Sequence, residues 1–350
     1  MKNDTLVSVV IPAYNAEEYL AGCLEATVSQ TYSNIEILIV DNGSEDSTMD
    51  ICKEYADRDG RIRTFSVLKR GVSAARNCGI DNSTGKYIVF FDSDDRPERD
   101  LIECYLKAMD EWENKTVALV ACGMFYDNIF YRNVLDKISI LESQSGFIEG
   151  ENYLLKRNYA AVLAWLKLFN FVTNKIYSNE VIKHHGIRFD EYVNIGEDLK
   201  FNLDYLNKCE GYIGMINKPM YHYIKRNEDS LSFTYHENDV EDTKAIYRRF
   251  LDWESQQKGV TEDNLLVIKS IFLTDWISRL STKSDYYKAN GDTKQVAGKL
   301  SSEIGCSEFQ SMLKQVHKAR KISTIKYLAL RTRRFEAFCM LREIYQKMKR

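Results

Sequence analysis

An α/β fold, with a mostly parallel sheet flanked by helices and a helical C-terminal extension, is predicted for this 350-residue chain by three observations. From Leu6 to Cys122, apolar runs of strand length alternate with stretches of helical periodicity. Three of those runs end directly in polar clusters: Pro12-Ala13-Tyr14-Asn15, Asp41-Asn42-Gly43-Ser44 and Asp92-Ser93-Asp94-Asp95. From Glu237 onward the periodicity is helical to the end. Alternating strands and helices form right-handed crossovers in a parallel sheet, and ligands of such sheets bind beyond the carboxyl ends of the strands, where the clusters fall.

Leu6-Val7-Ser8-Val9-Val10-Ile11 is apolar and β-branched nearly throughout, as a strand buried on both faces requires. Pro12 is expected to end it, because proline cannot donate to the ladder. Glu17 and Glu18 suit the positive end of a following helix, and Tyr19, Leu20, Cys23, Leu24 and Val28 recur at helical spacing. Residues 35–40 read as the second strand. Asp46, Ser47 and Thr48 offer N-caps for a helix through Tyr55. Residues 62–67 form the third strand and 73–82 a helix. The fourth strand, Tyr87-Ile88-Val89-Phe90-Phe91, delivers three carboxylates within four residues to the sheet edge. Residues 100–113 read as a helix and 117–122 as a strand. The alternation then fades: 128–149 is a loop or hairpin, 152–171 helix-like, 187–190 short, 197–207 a helix, and 212–216 a strand with Pro219-Met220-Tyr221-His222-Tyr223 behind it. In the final helical stretch Gly259, Gly291, Gly298 and Gly305 stand out as breaks.

With 28% charged residues and a net charge of −3, the composition does not point to a nucleic-acid binder. The charge is unevenly placed. From Lys314 to Arg350 there are 12 Lys and Arg against Glu336 and Glu343, a net of +10, which leaves −13 on the preceding residues. An acidic body with a basic tail suggests attraction to an anionic surface. In that tail Lys318, Arg320, Lys321, Lys326, Arg331, Arg333 and Arg334 interleave with Ile322, Ile325, Tyr327, Leu328, Leu330, Phe335, Phe338 and Leu341, as in an interfacial amphipathic helix or a solvated helical face. The eight cysteines include no C-x-x-C pair, there is no signal peptide, and no window reaches the ~20 apolar residues of a membrane span, so a cytoplasmic protein with reduced thiols is expected.

Three clustered carboxylates repel one another and are answered by a divalent cation, by arginine partners or by water. Gly71-Val72-Ser73-Ala74-Ala75-Arg76-Asn77 places a guanidinium fork near a helix start. Gly196-Glu197-Asp198 opens another helix with two acids, which is also common helix punctuation.

Taken together and in order, Val7-Ser8-Val9-Val10-Ile11-Pro12-Ala13-Tyr14-Asn15, Val40-Asp41-Asn42-Gly43-Ser44, Gly71 to Asn77, Asp92 to Asp95 and Gly196-Glu197-Asp198 resemble glycosyltransferase family 2. These are inverting sugar transferases with the GT-A fold, built on a Rossmann-like sheet. The resemblance implies a nucleotide-sugar donor and Mg²⁺ or Mn²⁺ held by Asp94, with Asp92 facing the ribose beside Ser93; Asp95 itself reads as a structural cap of the next turn. It places Pro12, Tyr14 and Asp41 on the base-binding wall; a carboxylate there can accept the imide N–H of uracil or thymine, hence a UDP-linked donor. Arg76 would fork onto base or phosphate oxygens. Asp198 would be the general base and Glu197 would face the acceptor, because a single displacement needs a group to take the hydroxyl proton.

Further on, Asn174-Lys175-Ile176-Tyr177 and Ile187-Arg188-Phe189-Asp190-Glu191 resemble the acceptor-side segment, and the stretch from Tyr221 to Ser230 resembles the one that closes over the diphosphate, where His222 could reach the metal and Arg226 the phosphates. Two positions depart from the family pattern: Asn42 replaces the second acid of Asp-Asp-Gly-Ser, and Thr173 stands where tryptophan is frequent.

The organisation implied is a nucleotide-sugar-binding half (1–115), an acceptor-binding half (116–235) and a helical region with the basic tail (236–350). The activity implied is metal-dependent hexosyl or N-acetylhexosaminyl transfer to a hydroxyl of a glycan or lipid-linked glycan in cell-surface polysaccharide synthesis, with peripheral contact at the inner face of the membrane through 314–350. The alternatives are transfer onto a polyprenyl phosphate, which needs no base, and a nucleotide-sugar-binding module without turnover. No G-x-G-x-x-G follows the first strand, which argues against a dinucleotide oxidoreductase.

Overall fold

The computed structural model describes residues 5–69, 71–127, 152–193, 195–224, 235–291, 293–335, 338 and 339. The chain divides into two compact units, one of residues 1–159, 166–193 and 197–226, the other of 160–165, 194–196 and 227–350. The first holds the sheet. Its described strands are β1 (Val7–Ala13), β2 (Ile35–Asp41), β3 (Ile62–Ser66), β4 (Tyr87–Phe90), β5 (Arg96–Pro97), β6 (Val117–Asp127), β7 (Asn152–Leu155), β8 (Lys175–Ser178) and β9 (Tyr212–Ile224). They lie in the order β3-β2-β1-β4-β8-β6-β9-β5, with β7 also paired to β9. The first four strands are mutually parallel, as are β6 and β9, while β8 runs against both of its neighbours.

β1 does not stop at Pro12. The Val10 carbonyl accepts from the Phe91 amide, so even-numbered residues of β1 face β4, and β4 ends before Pro12 would need to donate. The missing N–H therefore costs no ladder bond, and Pro12 and Ala13 continue against Val40 and Asp41 of β2. Helix α3 (Val72–Asn82), which follows α1 (Leu20–Val28) and α2 (Thr48–Arg58), lies on β1 through Gly79. A Cβ there would come within 2.2 Å of Val10 Cγ1, so only glycine permits this approach.

The 152–171 stretch is not one helix. The β9 edge offers it a ladder partner, and β7 takes it with the period-two burial of a strand, Tyr153 and Leu155 being buried. A 3₁₀ turn (Arg157–Tyr159) and a short helix (Ala160–Trp165) follow, then a loop. β9 extends past Pro219 by register shifts around Gly123, where a Cβ would sit 3.0 Å from Pro219 Cα. Residues 128–149 lie outside the described residues. Around β4, Phe90 meets Tyr177, Phe189 and Phe201 edge-on, and Phe189 stacks on Phe201 at 4.1 Å, which ties the sheet to the helix Glu197–Leu206.

The second unit is helical, with long helices at Asp239–Ser255 and Glu262–Ala289. Thr261 and Asn264 close a capping box at the start of the latter, and Gly259 and Gly291, both at positive φ, bracket it. Gly298 is not a break but lies inside the helix Thr293–Gly305. The basic tail is not one continuous helix in its described part: Ser307–Lys318 ends, Arg320 takes a positive φ, and Thr324–Arg331 resumes with Ala329 and Leu330 buried but Ile325 and Leu328 70% and 58% exposed. Leu341 lies outside the described residues. None of the eight cysteines is in a disulfide, and no helix among the described residues is long and apolar enough to cross a membrane.

One buried group in this unit has a measurable consequence. Glu254 is wholly buried, neither carboxyl oxygen has a hydrogen-bond partner among the described residues, and burial pushes its carboxyl up to about 8. A carboxyl that ionises at about 4.5 unfolded and about 8 folded supports the fold below its unfolded value and loses that support as pH rises toward its folded one. Urea titrations are expected to show stability falling by roughly 3 kcal/mol between pH 5 and 7.5 in the wild type, with the slope flattened in Glu254→Gln. Parallel pH profiles for the two proteins would assign the dependence to other groups.

Candidate active site

The three strand-end loops are laced together. Asn15, at φ 44°, donates its amide to Ser44 Oγ at 2.9 Å and accepts at Oδ1 from the Glu45 amide at 2.9 Å. Asp41 Oδ2 accepts from the Gly43 amide and Oδ1 from the Ser44 amide, both at 3.2 Å. The carboxylate thus shapes its own turn, while lone pairs remain for a further donor. Asn42 explains its departure from the family pattern: Oδ1 accepts from the Gly71 amide at 2.6 Å while Nδ2 donates to the Lys69 carbonyl at 2.7 Å. An aspartate could not donate, so the asparagine is what holds both Lys69 and Gly71 at the head of α3. Pro12 is buried beside this loop and Tyr14 is 42% exposed.

At the end of β4, Asp92, Ser93 and Asp94 are half-buried and Asp95 is buried. The turn is closed by the Asp92 carbonyl, which accepts from the Asp95 amide and the Cys23 thiol, and the Asp92 amide donates to the Tyr221 hydroxyl. Asp95 does not cap the next turn. Its Oδ1 accepts from the Ile224 amide at 2.9 Å, fastening the end of β9. Burial, then the charges of Asp92 and Asp94, drive its carboxyl well above the carboxylate range. His222 on β9 stacks on Phe125 at 4.3 Å, and its Nε2 meets Glu98 Oε1 at 2.8 Å. Among the described residues no group of three or more His, Cys, Asp or Glu converges on one point as a preformed ion site. Arg226 lies outside the described residues.

Arg76 stands between the two sets of acids. It is 3% exposed, and its fork reaches Asp92 Oδ1 through Nη2 at 2.9 Å and Asp198 Oδ1 through Nη1 at 2.7 Å, with Glu197 Oε1 3.7 Å from Nη1. Its guanidinium lies 5.1 Å from the Phe189 ring centre. Burial opposes its charge, but Asp198, Asp92 and Glu197 outweigh that and hold it protonated. Asn77, next along α3, donates to the Phe189 carbonyl and Glu191 Oε1 and accepts from the Phe189 amide, so the Arg76-Asn77 pair fixes both the charge and the ring beneath it.

Glu197 and Asp198 begin their helix side by side but in different settings. Burial pushes the Glu197 carboxyl up to about 7, the neighbouring Asp198 charge adds to this, and Arg76 opposes it. Asp198 is also raised, by burial first, with Arg76 pulling it down. Its second oxygen accepts from the Val172 amide at 3.1 Å. That amide belongs to a loop held by three buried side chains. Lys175 Nζ donates to the Leu168 and Phe171 carbonyls, Asn174 Nδ2 to the Leu168 carbonyl, and Asn202 Nδ2 to the Phe169 and Phe171 carbonyls. Burial brings the Lys175 amine down to about 7. In sequence, Asn174-Lys175 resembles an acceptor-side segment and nothing marks Asn202; a lysine heading the apolar run Lys175–Ser178 is the available signal, since a buried amine must find acceptors.

The comparisons agree with this architecture. The model of the family described as glycosyl transferase family 2 matches residues 8–186. EpsH of Bacillus subtilis is 31% identical over 283 residues, covering 77% of each chain. Glycosyltransferase GlyA of Streptococcus pneumoniae is 34% identical over 230 residues, 63% of this chain, and EpsJ of B. subtilis is 30% identical over 65% of it. The chain spans 30% of GlyA and 63% of EpsJ. Among solved structures, S. aureus TarS 1–349 in complex with UDP-GlcNAc superposes with a TM-score of 0.65 at 18% identity, over 97% of this chain and 91% of TarS 1–349. The architecture is the GT-A fold of sugar transferases. Within that class, the chain belongs to glycosyl transferase family 2.

Proposed function

We propose that this chain transfers a hexosyl or N-acetylhexosaminyl group, with inversion, from a UDP-linked donor to a hydroxyl of a glycan or lipid-linked glycan in cell-surface polysaccharide synthesis. The observation that carries the reading is the Arg76 fork, which holds an acid of the β4 end and an acid of the Glu197 helix within one hydrogen-bonded cluster. In this reading residues 1–115 bind the donor, 116–235 the acceptor, and 236–350 form a helical region. Pro12, Tyr14 and Asp41 receive the base, Asp92 and Ser93 the ribose, and Arg226 a phosphate.

The β4 end suits Mg²⁺ or Mn²⁺: its donors are hard carboxylate oxygens, clustered closely enough that the charges of Asp92 and Asp94 add to the burial that raises the Asp95 carboxyl. Asp94 would hold the ion, which would supply neutralisation of the donor diphosphate. His222 is the weaker expectation, since its Nε2 is already paired with Glu98. Two fold relatives support the ligand classes: TarS was solved with UDP-GlcNAc, and the Pyrobaculum calidifontis mannosyltransferase PcManGT, at a TM-score of 0.50 and 15% identity, with GDP-Man and Mn²⁺.

The chemical step forms a bond from the acceptor oxygen to the anomeric carbon as the bond from that carbon to the phosphate oxygen breaks, its electron pair leaving with the nucleoside diphosphate. Asp198 takes the hydroxyl proton. Arg76 and the Val172 amide fix its orientation, and burial raises its affinity for the proton. Glu197, with its carboxyl near 7, can donate to or accept from the acceptor hydroxyls.

The test is nucleotide release from UDP-, GDP- and dTDP-sugars with Mn²⁺. UDP release is expected to dominate; equal or greater release of another nucleotide would overturn the donor assignment. Contact with an anionic membrane is proposed for 314–350, where Ile325 and Leu328 are exposed among basic residues. Cosedimentation with phosphatidylglycerol vesicles at moderate salt is expected to disappear on deletion of 314–350, and unchanged pelleting would remove the tail from that role.

A further inference from the structure

The helical unit contains a cavity of about 680 Å³ that takes no part in the chemistry above, a size within the range of about 300–1,000 Å³ typical of small-molecule sites. Its wall is aromatic. Tyr235 and Tyr286 lie 4.5 Å apart at 32°, Tyr287 stands edge-on to Tyr286 at 5.5 Å, and Tyr286 is 48% exposed. Its rim is polar. Glu237 accepts from the hydroxyls of Tyr235 and Tyr287, and His236, Asn238 and Asn290 also line the cavity. Asn238 starts the helix Asp239–Ser255 without using its side chain as a cap, and Asn290 donates Nδ2 to the Tyr286 carbonyl, which leaves its Oδ1 as an acceptor.

The charge in this cavity narrows the ligand. Lys283 Nζ sits 3.2 Å from Glu237 Oε1 and 5.8 Å from the centre of the Tyr235 ring. One ring of the wall therefore already has a cation over it, and a second would be repelled. A phosphate would face the Glu237 carboxylate. A purely apolar ligand would strip water from Glu237 and two amides without replacing their hydrogen bonds. What remains is an uncharged ligand with one apolar face, to lie against the exposed Tyr286 ring, and an edge of groups that both donate and accept. A pyranose ring has both: a face of C–H bonds and a rim of hydroxyls.

We propose that this cavity is a second carbohydrate-binding site, which holds a neutral pyranosyl residue of a glycan chain on Tyr286, with Glu237, Asn238 and Asn290 taking its hydroxyls. The proposal deepens and rests on the reading of the chain as a glycan-extending transferase, for which a second hold on the acceptor would raise its effective concentration.

The experiment is saturation-transfer NMR on the full chain without donor, using chitotetraose, cellotetraose and maltotetraose as probes and uridine as a control. At least one tetrasaccharide is expected to bind, with affinity reduced by about tenfold or more in Tyr286→Ala and retained in Tyr286→Phe, which keeps the ring. UDP release from the donor without acceptor should be unchanged in Tyr286→Ala, which separates this site from the reaction centre. Circular dichroism guards against misfolding, and the half-exposed Tyr286 makes a folded variant the expectation. No binding by any of the three tetrasaccharides, equal binding by Tyr286→Ala, or displacement of the bound sugar by uridine would each overturn the proposal. Because the readout needs no turnover, its failure with nucleotide release intact leaves the transferase reading standing, and the reverse outcome leaves this site standing.

Discussion

Asp198→Asn is expected to lower kcat by about 10³-fold, within the ~10²–10⁴ that a positioned general base contributes, while the donor still binds. The substitution keeps the shape of the side chain, and its Oδ1 can still accept from Arg76 Nη1 at the 2.7 Å position, so the loss should fall on the chemical step and not on folding. The wild-type rate should decline as pH falls, because the base must be ionised. Burial raises Asp198, so this acid limb should lie above the usual aspartate range, and it should be absent from the residual activity of the variant. A variant that retains near-wild-type turnover would transfer the proton role elsewhere, with the Glu197 carboxyl near 7 as the next group to replace.

Arg76→Ala is expected to have the larger effect on the fold. The guanidinium is 3% exposed and touches Asp92, Asp198 and, more distantly, Glu197. Removing one partner from a buried ion cluster costs about 3–5 kcal/mol, because the remaining charges stay desolvated. Glu197 and Asp198, the more deeply buried acids, can escape that cost by binding protons. The deficit relative to wild type should therefore be greatest near pH 8 and shrink toward pH 5, as measured by urea denaturation. Arg76→Lys should recover part of the stability but not the activity, since a single ammonium cannot span Asp92 and Asp198 as the fork does. An alanine variant as stable as wild type at pH 8 would show that the cluster is better hydrated than its burial implies.

Much of this arrangement could be read from the residues. The strands ending at Ala13, Asp41 and Phe90 were visible as apolar runs broken by polar clusters, because a parallel strand buried on both faces leaves a continuous signal. The pairing of Arg76 with Asp92 is one of the three answers that a carboxylate cluster allows, but the sequence could not say that the same guanidinium would also take Asp198, 122 positions away. What escaped were features decided by neighbours distant in the chain. β7 reads as helix until the β9 edge offers it hydrogen bonds, and the reversed direction of β8 leaves no mark on Lys175–Ser178. Pro12 was read as a stop because its neighbour's shorter length cannot be seen locally. Asn42, noted as a lost charge, is a two-way clamp on Lys69 and Gly71.

The proposed reaction centre is the β4 end, which binds a nucleotide sugar through a divalent ion. Its most direct measurement is UDP release from the preferred donor by wild type and Asp94→Ala, with Mn²⁺ and with chelator. Release that requires Mn²⁺ and falls to background in Asp94→Ala is the predicted result. Release that persists undiminished in chelator, or in Asp94→Ala, would contradict the placement of the reaction centre at this strand end.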